Sequence, residues 1–321
     1  MTTATTTSTT THPAYQQLIE RVREAQLIGS SAGILGWDQE TFMPSGGVKY
    51  RGAQLAVLSR LSHESFTHPA TGEALAGCEA ENDLTADPES VEAVNIREIR
   101  RRYDRATCLP AALVEEEAAL SSSAMHCWAD ARKASDFSLF QEILEQVVDL
   151  MKRKAECYGW DSSGEPWDAL AEDYEPGCTA AEVESVFTPL RKDLQTLLDD
   201  LMGSSKSPSN AFNEVKVPVE KQKQFVEKVA AQLGFDFERG RLDVSTHPFC
   251  GGSHCNDVRM TTRFHENNVN DALGSTMHET GHGLYEQGLL EAHIGTPMGD
   301  SISLGIHESQ SRMWENQVGR S

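Results

Sequence analysis

The segment His278-Glu279-Thr280-Gly281-His282 constrains the fold of this chain more than any other feature. Two histidines four residues apart point the same way on an α-helix, where their β-carbons lie about 5–6 Å apart. Apolar or small residues recur at helical spacing through this segment, at Val269, Leu273, Met277, Leu284 and Gly288. The stripe predicts a helix over residues 269–289, with an asparagine at position 268 or 270 as its N-cap.

The same spacing suits a metal site. Both imidazoles can reach one zinc ion at about 2.0–2.1 Å. Glu279 lies about 100° around the helix from His278, so its carboxylate can address a metal-bound water rather than the ion itself. Because a five-residue match also arises by chance, the predicted helix and a strand expected before it are the context that supports it. We therefore predict a zinc site with Glu279 as the catalytic base.

A catalytic zinc site needs a third protein ligand, because three protein groups hold the ion and leave a fourth position for water. The pattern with a third histidine six residues beyond His282 is excluded, since that position is Gly288. A carboxylate on a following helix is therefore expected. Glu308 is the first candidate, Glu315 is a rival farther along the same helix face, and Asp300 is a weaker alternative.

Most of the chain predicts helix. Apolar residues at helical spacing indicate helices over residues 15–30, 90–105, 140–151, 183–201 and 219–233. The fourth of these follows a capping box formed by Thr179 and Glu182. Turn-forming composition indicates breaks at residues 67–87, 161–177 and 203–213. Alternation over residues 242–245 and 257–264 indicates strands, which we expect to form a small antiparallel sheet beside the zinc helix. The predicted fold class is mostly α.

Charge argues against two classes of partner. The chain has 28 basic and 49 acidic residues and a net charge of −21, which repels phosphate backbones and anionic lipid. We therefore expect neither nucleic acid nor a membrane as a partner. The basic run Arg100-Arg101-Arg102 is expected to form a salt-bridged surface of its helix, with a ligand-binding role as the alternative.

Cysteine usage and the N-terminal composition bear on location. The chain has seven cysteines, an odd number with no C-x-x-C pair, which indicates reduced thiols rather than a disulfide framework. No apolar run has the length of a membrane span. Residues 1–12 are rich in threonine and lack the hydrophobic core and the arginines of targeting sequences. We therefore expect a disordered tail over residues 1–12 and a cytoplasmic location.

Several further motifs occur in a characteristic order along the chain. They are Gly36-Trp37-Asp38-Gln39-Glu40-Thr41, Tyr174-Glu175-Pro176-Gly177, His247-Pro248-Phe249, Asp257-Val258-Arg259-Met260-Thr261 and His307-Glu308-Ser309-Gln310. Together with the two-histidine helix, they make the sequence resemble the carboxypeptidase Taq family of metallocarboxypeptidases along nearly its whole length. The His-Pro-Phe, D-x-R-x-T and H-E-S-Q motifs are the specific part of this match.

The resemblance implies a fold and an activity. The fold would be a large, mostly α-helical zincin-like domain over residues 13–321, with a deep central groove and a small sheet beside the zinc helix. The activity would be removal of single C-terminal residues with broad specificity, using one zinc ion, with cobalt as a possible substitute. Homodimers would be usual, and Glu308 would be the third ligand in preference to Glu315. An oligopeptidase or endopeptidase is the alternative, as is an inactive fragment that acts only as a binding module.

The resemblance also implies which residues meet the peptide substrate. His247 and His307 would face the groove, and an arginine fork at Arg259 or Arg263 would bind the terminal carboxylate. The alternative for either arginine is a pair with a local acid. The family's chains continue well beyond the position of Ser321, with a later arginine-bearing segment and a Gln-Asp-x-His-Trp-like segment, so we expect this chain to lack part of the substrate-binding wall.

Overall fold

A computed structural model describes residues 12–207, 209 and 215–321. The tail expected over residues 1–12 lies outside this part, apart from His12. Within the described residues, the helices and strands follow in this order: α1 Pro13–Thr41, α2 Val48–Phe66, α3 Pro69–Ala80, α4 Asn82–Thr85, α5 Val91–Thr107, α6 Ala111–Ala134, α7 Ser138–Tyr158, α8 Pro166–Ala171, α9 Ala180–Met202, α10 Val219–Leu233, β1 Gly240–Val244, β2 Cys250–His254, β3 Asp257–Thr262, α11 Val269–Gly288 and α12 Leu304–Arg312. A π-helical turn, Met313–Val318, continues α12.

The N-terminal helices share one apolar core. Its buried members come from α1, from α3 and α4, and from α5: Tyr15, Leu18, Ile19, Val22, Ala74, Leu75, Cys78, Leu84, Ile96 and Ile99. The break predicted at residues 67–87 is wrong, because α3 and α4 occupy most of it. Pro69 begins α3 at a position where its missing N–H costs nothing, and burial of Leu75 and Cys78 stabilises a helix that the local composition disfavours. The break at 161–177 likewise contains the short helix α8.

The other predicted helices are confirmed. Helix α9 begins with the expected capping box of Thr179 and Glu182, and Pro189 lies inside it without ending it. It ends at Met202, where the third expected break begins, and residues 208 and 210–214 of that region lie outside the described part. Helix α10 ends just before Gly234, whose φ of 110° is the left-handed conformation that favours glycine. Among the described residues, no helix combines the length and the hydropathy needed to span a membrane.

The sheet has three strands in the order β1-β3-β2 and is mixed rather than antiparallel. Strand β2 pairs antiparallel with β3, but β1 pairs parallel with it, so the prediction of an antiparallel sheet is wrong for β1. The cause is topological. The chain leaves β1, crosses through the His-Pro-Phe segment to the far edge of β3, and returns from β2 by a tight turn. This crossing leaves β1 and β3 running the same way.

A second apolar core fixes the position of α11. It contains residues from α10, from the strands and from α11, namely Val226, Ala230, Phe235, Leu242, Val258, Met260 and Ala272. Thr261 and Thr262 of β3 are fully buried as well, so α11 lies directly against this strand. The helix that carries both histidines therefore rests on the sheet along one side and meets α12 on another.

Candidate metal centre

The helix bearing the two histidines forms as its sequence predicts. Asn268 is its N-cap, with the side-chain oxygen accepting the backbone N–H of Asp271 at 3.2 Å. The helix then runs without interruption to Gly288. The imidazole rings of His278 and His282 lie one turn apart, with their centroids 4.9 Å from each other. Their side chains therefore face the same way.

Glu308 brings the third donor atom to these rings. Its Oε2 atom lies 3.1 Å from Nε2 of His282 and 3.6 Å from Nε2 of His278. The donor atoms of the three residues all lie within 4.8 Å of one another. A tetrahedral zinc ion with bonds of about 2.0–2.1 Å places its ligand atoms about 3.3 Å apart. The two imidazoles and the carboxylate therefore fit a metal ion of this size.

Glu315 contacts the Nδ1 atom of His278 rather than its Nε2 atom. Its Oε2 atom lies 2.8 Å from Nδ1 of His278, on the side of the ring opposite the three converging atoms. An imidazole that donates its Nδ1–H to a carboxylate presents an unprotonated Nε2, which is the form that binds a metal. Arg312 and Arg320 also contact the Glu315 carboxylate. Glu315 is thus arranged to orient His278.

Two further side chains hold the carboxylate of Glu308. Ser311 donates to its Oε2 at 2.9 Å, and Arg312 donates from Nε to its Oε1 at 2.8 Å. Burial alone would raise the pKa of Glu308, but the Ser311 hydrogen bond and the nearby imidazoles lower it overall. The carboxylate is therefore ionised at neutral pH. Sequence reasoning missed Ser311 and Arg312, although both lie within one turn of Glu308.

Burial controls the protonation of the other polar groups here. Burial, and then the charges of Glu308 and Glu315, raise the pKa of Glu279 to about 8. Burial also lowers the pKa of His282 to about 4, assisted by the neighbouring His307 and His278. A neutral imidazole is the form that a metal ligand requires. Glu279 is 4 % exposed and occupies the buried side of the helix that carries both histidines.

Close backbone contact sets the distance between α11 and α12. A β-carbon at Gly281 would lie 2.5 Å from the carbonyl oxygen of Gln310 and 2.5 Å from Cα of Ser311. Only a residue without a side chain leaves room for this approach. Gly281 lies between the two histidines in sequence, and the backbone that it contacts belongs to the turn that carries Glu308. It therefore brings the third donor atom within reach of the other two.

His307 and Asp300 lie outside the group of donor atoms. The ring of His307 stacks on His282, with centroids 4.5 Å apart, and its Nε2 lies 2.7 Å from Oε1 of Glu286. Beyond His307 and Glu286, a cavity of about 690 Å³ extends toward Tyr158. Asp300 instead accepts a hydrogen bond from Arg102 at 2.9 Å.

The remaining substrate-binding candidates occupy different surroundings. His247 is exposed, stacks edge-on against Trp128, and has a pKa lowered by partial burial and then by Arg132, Arg263 and His278. Arg263 forms a bidentate pair with Asp271 at 2.8 and 2.9 Å.

Arg259 forms a bidentate pair with Asp257 at 2.8 and 3.0 Å, and its guanidinium lies 4.4 Å from the ring centroid of Trp37. Both arginines thus have the local acidic partners that the alternative interpretation described.

Residues 17–321 match the family described as Carboxypeptidase Taq (M32) metallopeptidase. The chain belongs to this family. It is 43% identical over 319 residues to thermostable carboxypeptidase 1 of Thermus thermophilus, covering 97% of this chain and 62% of that protein. It is 33% identical over 310 residues to carboxypeptidase 1 of Bacillus subtilis, covering 96% of this chain and 61% of that protein.

The fold agrees with solved members of the family. The M32 carboxypeptidase of Deinococcus radiodurans R1 superimposes with a TM-score of 0.84 at 38% identity, over 97% of this chain and 61% of that one. The mostly helical fold with a small sheet is therefore the fold of this family. The chain spans about three fifths of the length of the curated relatives it matches.

Proposed function

We propose that this chain carries the catalytic centre of a metallocarboxypeptidase, which hydrolyses the C-terminal peptide bond and releases single amino acids with broad specificity. The observation that carries the proposal is the convergence of His278, His282 and Glu308, with Glu279 buried beside them. The type of reaction is supported by membership of the family and by the carboxypeptidases to which the chain is similar. Peptides are the proposed substrates.

His278, His282 and Glu308 would hold the ion, and zinc is the proposed metal, with cobalt as a possible substitute. Two neutral imidazoles and one carboxylate form the donor set of several catalytic zinc sites. When bound, such an ion polarises a peptide carbonyl and lowers the pKa of a water molecule. In the neutral ring of His278, Glu315 would select the tautomer whose Nε2 is free to bind the ion, and Ser311 would hold Oε2 of Glu308 toward the rings.

Glu279 would act as the general base and then as the general acid. Burial raises the pKa of the Glu279 carboxyl and a bound cation would lower it, so the group would be ionised and able both to accept and to return a proton near neutral pH. It would take the proton of the attacking water and pass it to the leaving amine. Its burial excludes bulk water from this transfer.

For substrate binding, we propose that His247 and His307 face the peptide. Of the two arginines, we propose Arg263 as the partner for the terminal carboxylate, because it pairs with Asp271 in the first turn of the helix that carries both histidines. Arg259 is held between Asp257 and Trp37, which supports a structural role. Asp271 accepts from Nε and Nη2 of Arg263, so Nη1 and the second hydrogen of Nη2 would donate in parallel to the terminal carboxylate.

The decisive experiment replaces Glu279 by glutamine in the zinc-loaded protein. The substrate is a set of N-terminally blocked peptides, and the products are resolved by mass spectrometry. We expect wild-type protein to release free C-terminal amino acids, and Glu279→Gln to reduce kcat by about 10²–10⁴-fold without loss of zinc. Glu291→Gln, which changes an exposed acid that contacts Asn256, is the matched control and should retain activity.

Two results would contradict the proposal. Unchanged hydrolysis by the Glu279→Gln protein would remove the proposed base. Internal fragments without free amino acids would instead identify an endopeptidase or oligopeptidase that uses the same residues.

We also propose that the protein acts in the cytoplasm and as a homodimer. All seven cysteines are free thiols, which suits a reducing compartment. Sedimentation of the protein at several concentrations tests the dimer, because a constant monomer mass would exclude it.

A further inference from the structure

The N-terminus of α12 is capped from a distant part of the chain. The first backbone N–H groups of a helix have no partner within the helix and must find one elsewhere. The N–H of Leu304 donates to the carbonyl of Tyr174 at 2.8 Å, and the N–H of Gly305 donates to Oε2 of Glu175 at 2.7 Å. Only the third, on Ile306, is satisfied locally, by the hydroxyl of Ser303.

The contact between Glu175 and Gly305 is close. A β-carbon on Gly305 would lie 2.7 Å from Oε2 of Glu175. Glycine at this position therefore leaves space for the carboxylate to reach the backbone. A carboxylate at a helix N-terminus also interacts favourably with the helix dipole.

The turn that presents Glu175 is itself held by α5. Arg105 donates to Asp173 at 2.8 Å and to the carbonyl of Ala169 at 2.7 Å. Arg101 donates to the carbonyl and the carboxylate of Glu172, both at 3.3 Å. The basic run Arg100-Arg101-Arg102 is salt-bridged as the sequence predicts, with Glu79, Glu172 and Asp300 as its partners. The contacts of Arg101 and Arg105 hold the residues just before the Tyr-Glu-Pro-Gly turn against α5.

We propose that Glu175 is a positioning residue for the third metal ligand. By holding the first turn of α12, it sets the position of Glu308, which lies three residues beyond Gly305 on the same short helix. The Tyr-Glu-Pro-Gly motif thereby joins the N-terminal helical core to the metal centre. This inference rests on the proposed metal site, and it assigns to Glu175 a role exerted through Glu308 without contact with metal or substrate.

Zinc affinity is the first measurement, by competition with a chromophoric chelator. Groups that orient a metal ligand cost about 10- to 100-fold in affinity when they are removed. We expect Glu175→Ala to weaken zinc binding by about tenfold, because water can replace part of the lost hydrogen bond at this half-buried position. Glu175→Gln keeps an acceptor for the Gly305 N–H and should recover most of the affinity.

Gly305→Ala offers a second route to the same loss. Its methyl group would push the end of the flexible Glu175 side chain away from the Gly305 N–H without removing it, so we expect a weakening in the same direction and no larger than that of Glu175→Ala. The double variant should bind zinc no more weakly than Glu175→Ala. The matched control is Glu182→Ala, which removes another capping carboxylate but from α9, whose capping box lies outside the metal centre. This control should bind zinc as wild type does.

The background variant Glu308→Ala separates positioning from general destabilisation. If Glu175 acts through Glu308, its replacement should weaken zinc binding in the wild-type background but not in the Glu308→Ala background. The visible absorption of the cobalt-substituted protein reports ligand geometry directly, and it should change in Glu175→Ala and stay constant in Glu182→Ala. An equal loss of affinity in both backgrounds, or an unchanged cobalt spectrum in Glu175→Ala, would overturn the inference.

The same data distinguish this inference from the proposed function. Wild-type protein that binds no stoichiometric zinc would overturn the metal site and the role of Glu175 together. Wild-type zinc binding with unaltered affinity in both Glu175→Ala and Gly305→Ala would overturn the positioning role alone and leave the metal site in place.

Discussion

Replacement of Gly281 by alanine tests whether helix contact builds the metal centre. Ordinary contacts between carbon atoms are about 3.5–4.0 Å long. The β-carbon of an alanine at this position would lie 2.5 Å from Cα of Ser311 and 2.5 Å from the carbonyl oxygen of Gln310. These are backbone atoms, so no side-chain rotation relieves the overlap. Helix α12 must therefore move away from α11 by about 1 Å.

A movement of this size is large for a metal site. Metal–ligand distances are specified to about 0.2 Å, and Glu308 moves with the turn that contacts Gly281. We expect Gly281→Ala to weaken zinc binding by about 100-fold or more. We also expect it to lower the free energy of unfolding by about 1–3 kcal/mol, the usual cost of overpacking.

The assays are chelator competition for zinc affinity and urea unfolding for stability. Gly274→Ala is the matched control, because it adds the same methyl group to the same helix where nothing lies within 4 Å. Alanine is also the better helix former, by about 1 kcal/mol, so this control should be neutral or slightly stabilising. Wild-type zinc affinity in Gly281→Ala would refute the reasoning, since the contact at Gly281 would then not be needed to hold Glu308 in place.

Three other outcomes are expected. Glu315→Ala should weaken zinc binding by about 10- to 100-fold, measured by chelator competition, because His278 loses the carboxylate that orients it. Removal of zinc should lower the unfolding temperature in calorimetry, since an ion at 100 times its Kd stabilises the folded state by about 2.7 kcal/mol. Arg263 holds the pKa of Asp271 below its usual range, so this pair adds stability at neutral pH that is lost as the pH falls through the lowered pKa. Arg263→Gln should therefore reduce urea stability by about 1 kcal/mol at pH 7 and by much less near pH 2.

Local signals predicted the elements that carry the site. Helix α11 begins and ends within one residue of its predicted range, because Asn268 caps it and Ala272 and Leu284 pack into the apolar core beneath it. Helix α10 agrees equally well, since Gly234 provides a strong local end signal. In both cases the local preference and the tertiary packing favour the same structure.

Non-local packing accounts for the failures. Residues 67–87 contain proline, glycine and threonine, which locally favour turns, yet Leu75 and Cys78 are fully buried and stabilise a helix there. The direction of β1 likewise depends on which edge of β3 the returning chain reaches. Alternation along a strand reports which faces are buried and carries no information about its neighbour's direction.

Sequence spacing alone could not decide between Glu308 and Glu315 as the third ligand. Seven residues cover almost two full helical turns, so the sequence places both carboxylates on one face and leaves both as candidates. In the structure each meets a different atom of the same imidazole, Nε2 for Glu308 and Nδ1 for Glu315. Which carboxylate reaches which nitrogen depends on where α12 crosses α11, and Gly281 is the point of that crossing. The glycine between the two histidines therefore helps decide which acid reaches the proposed metal position and which acid contacts the other nitrogen of His278.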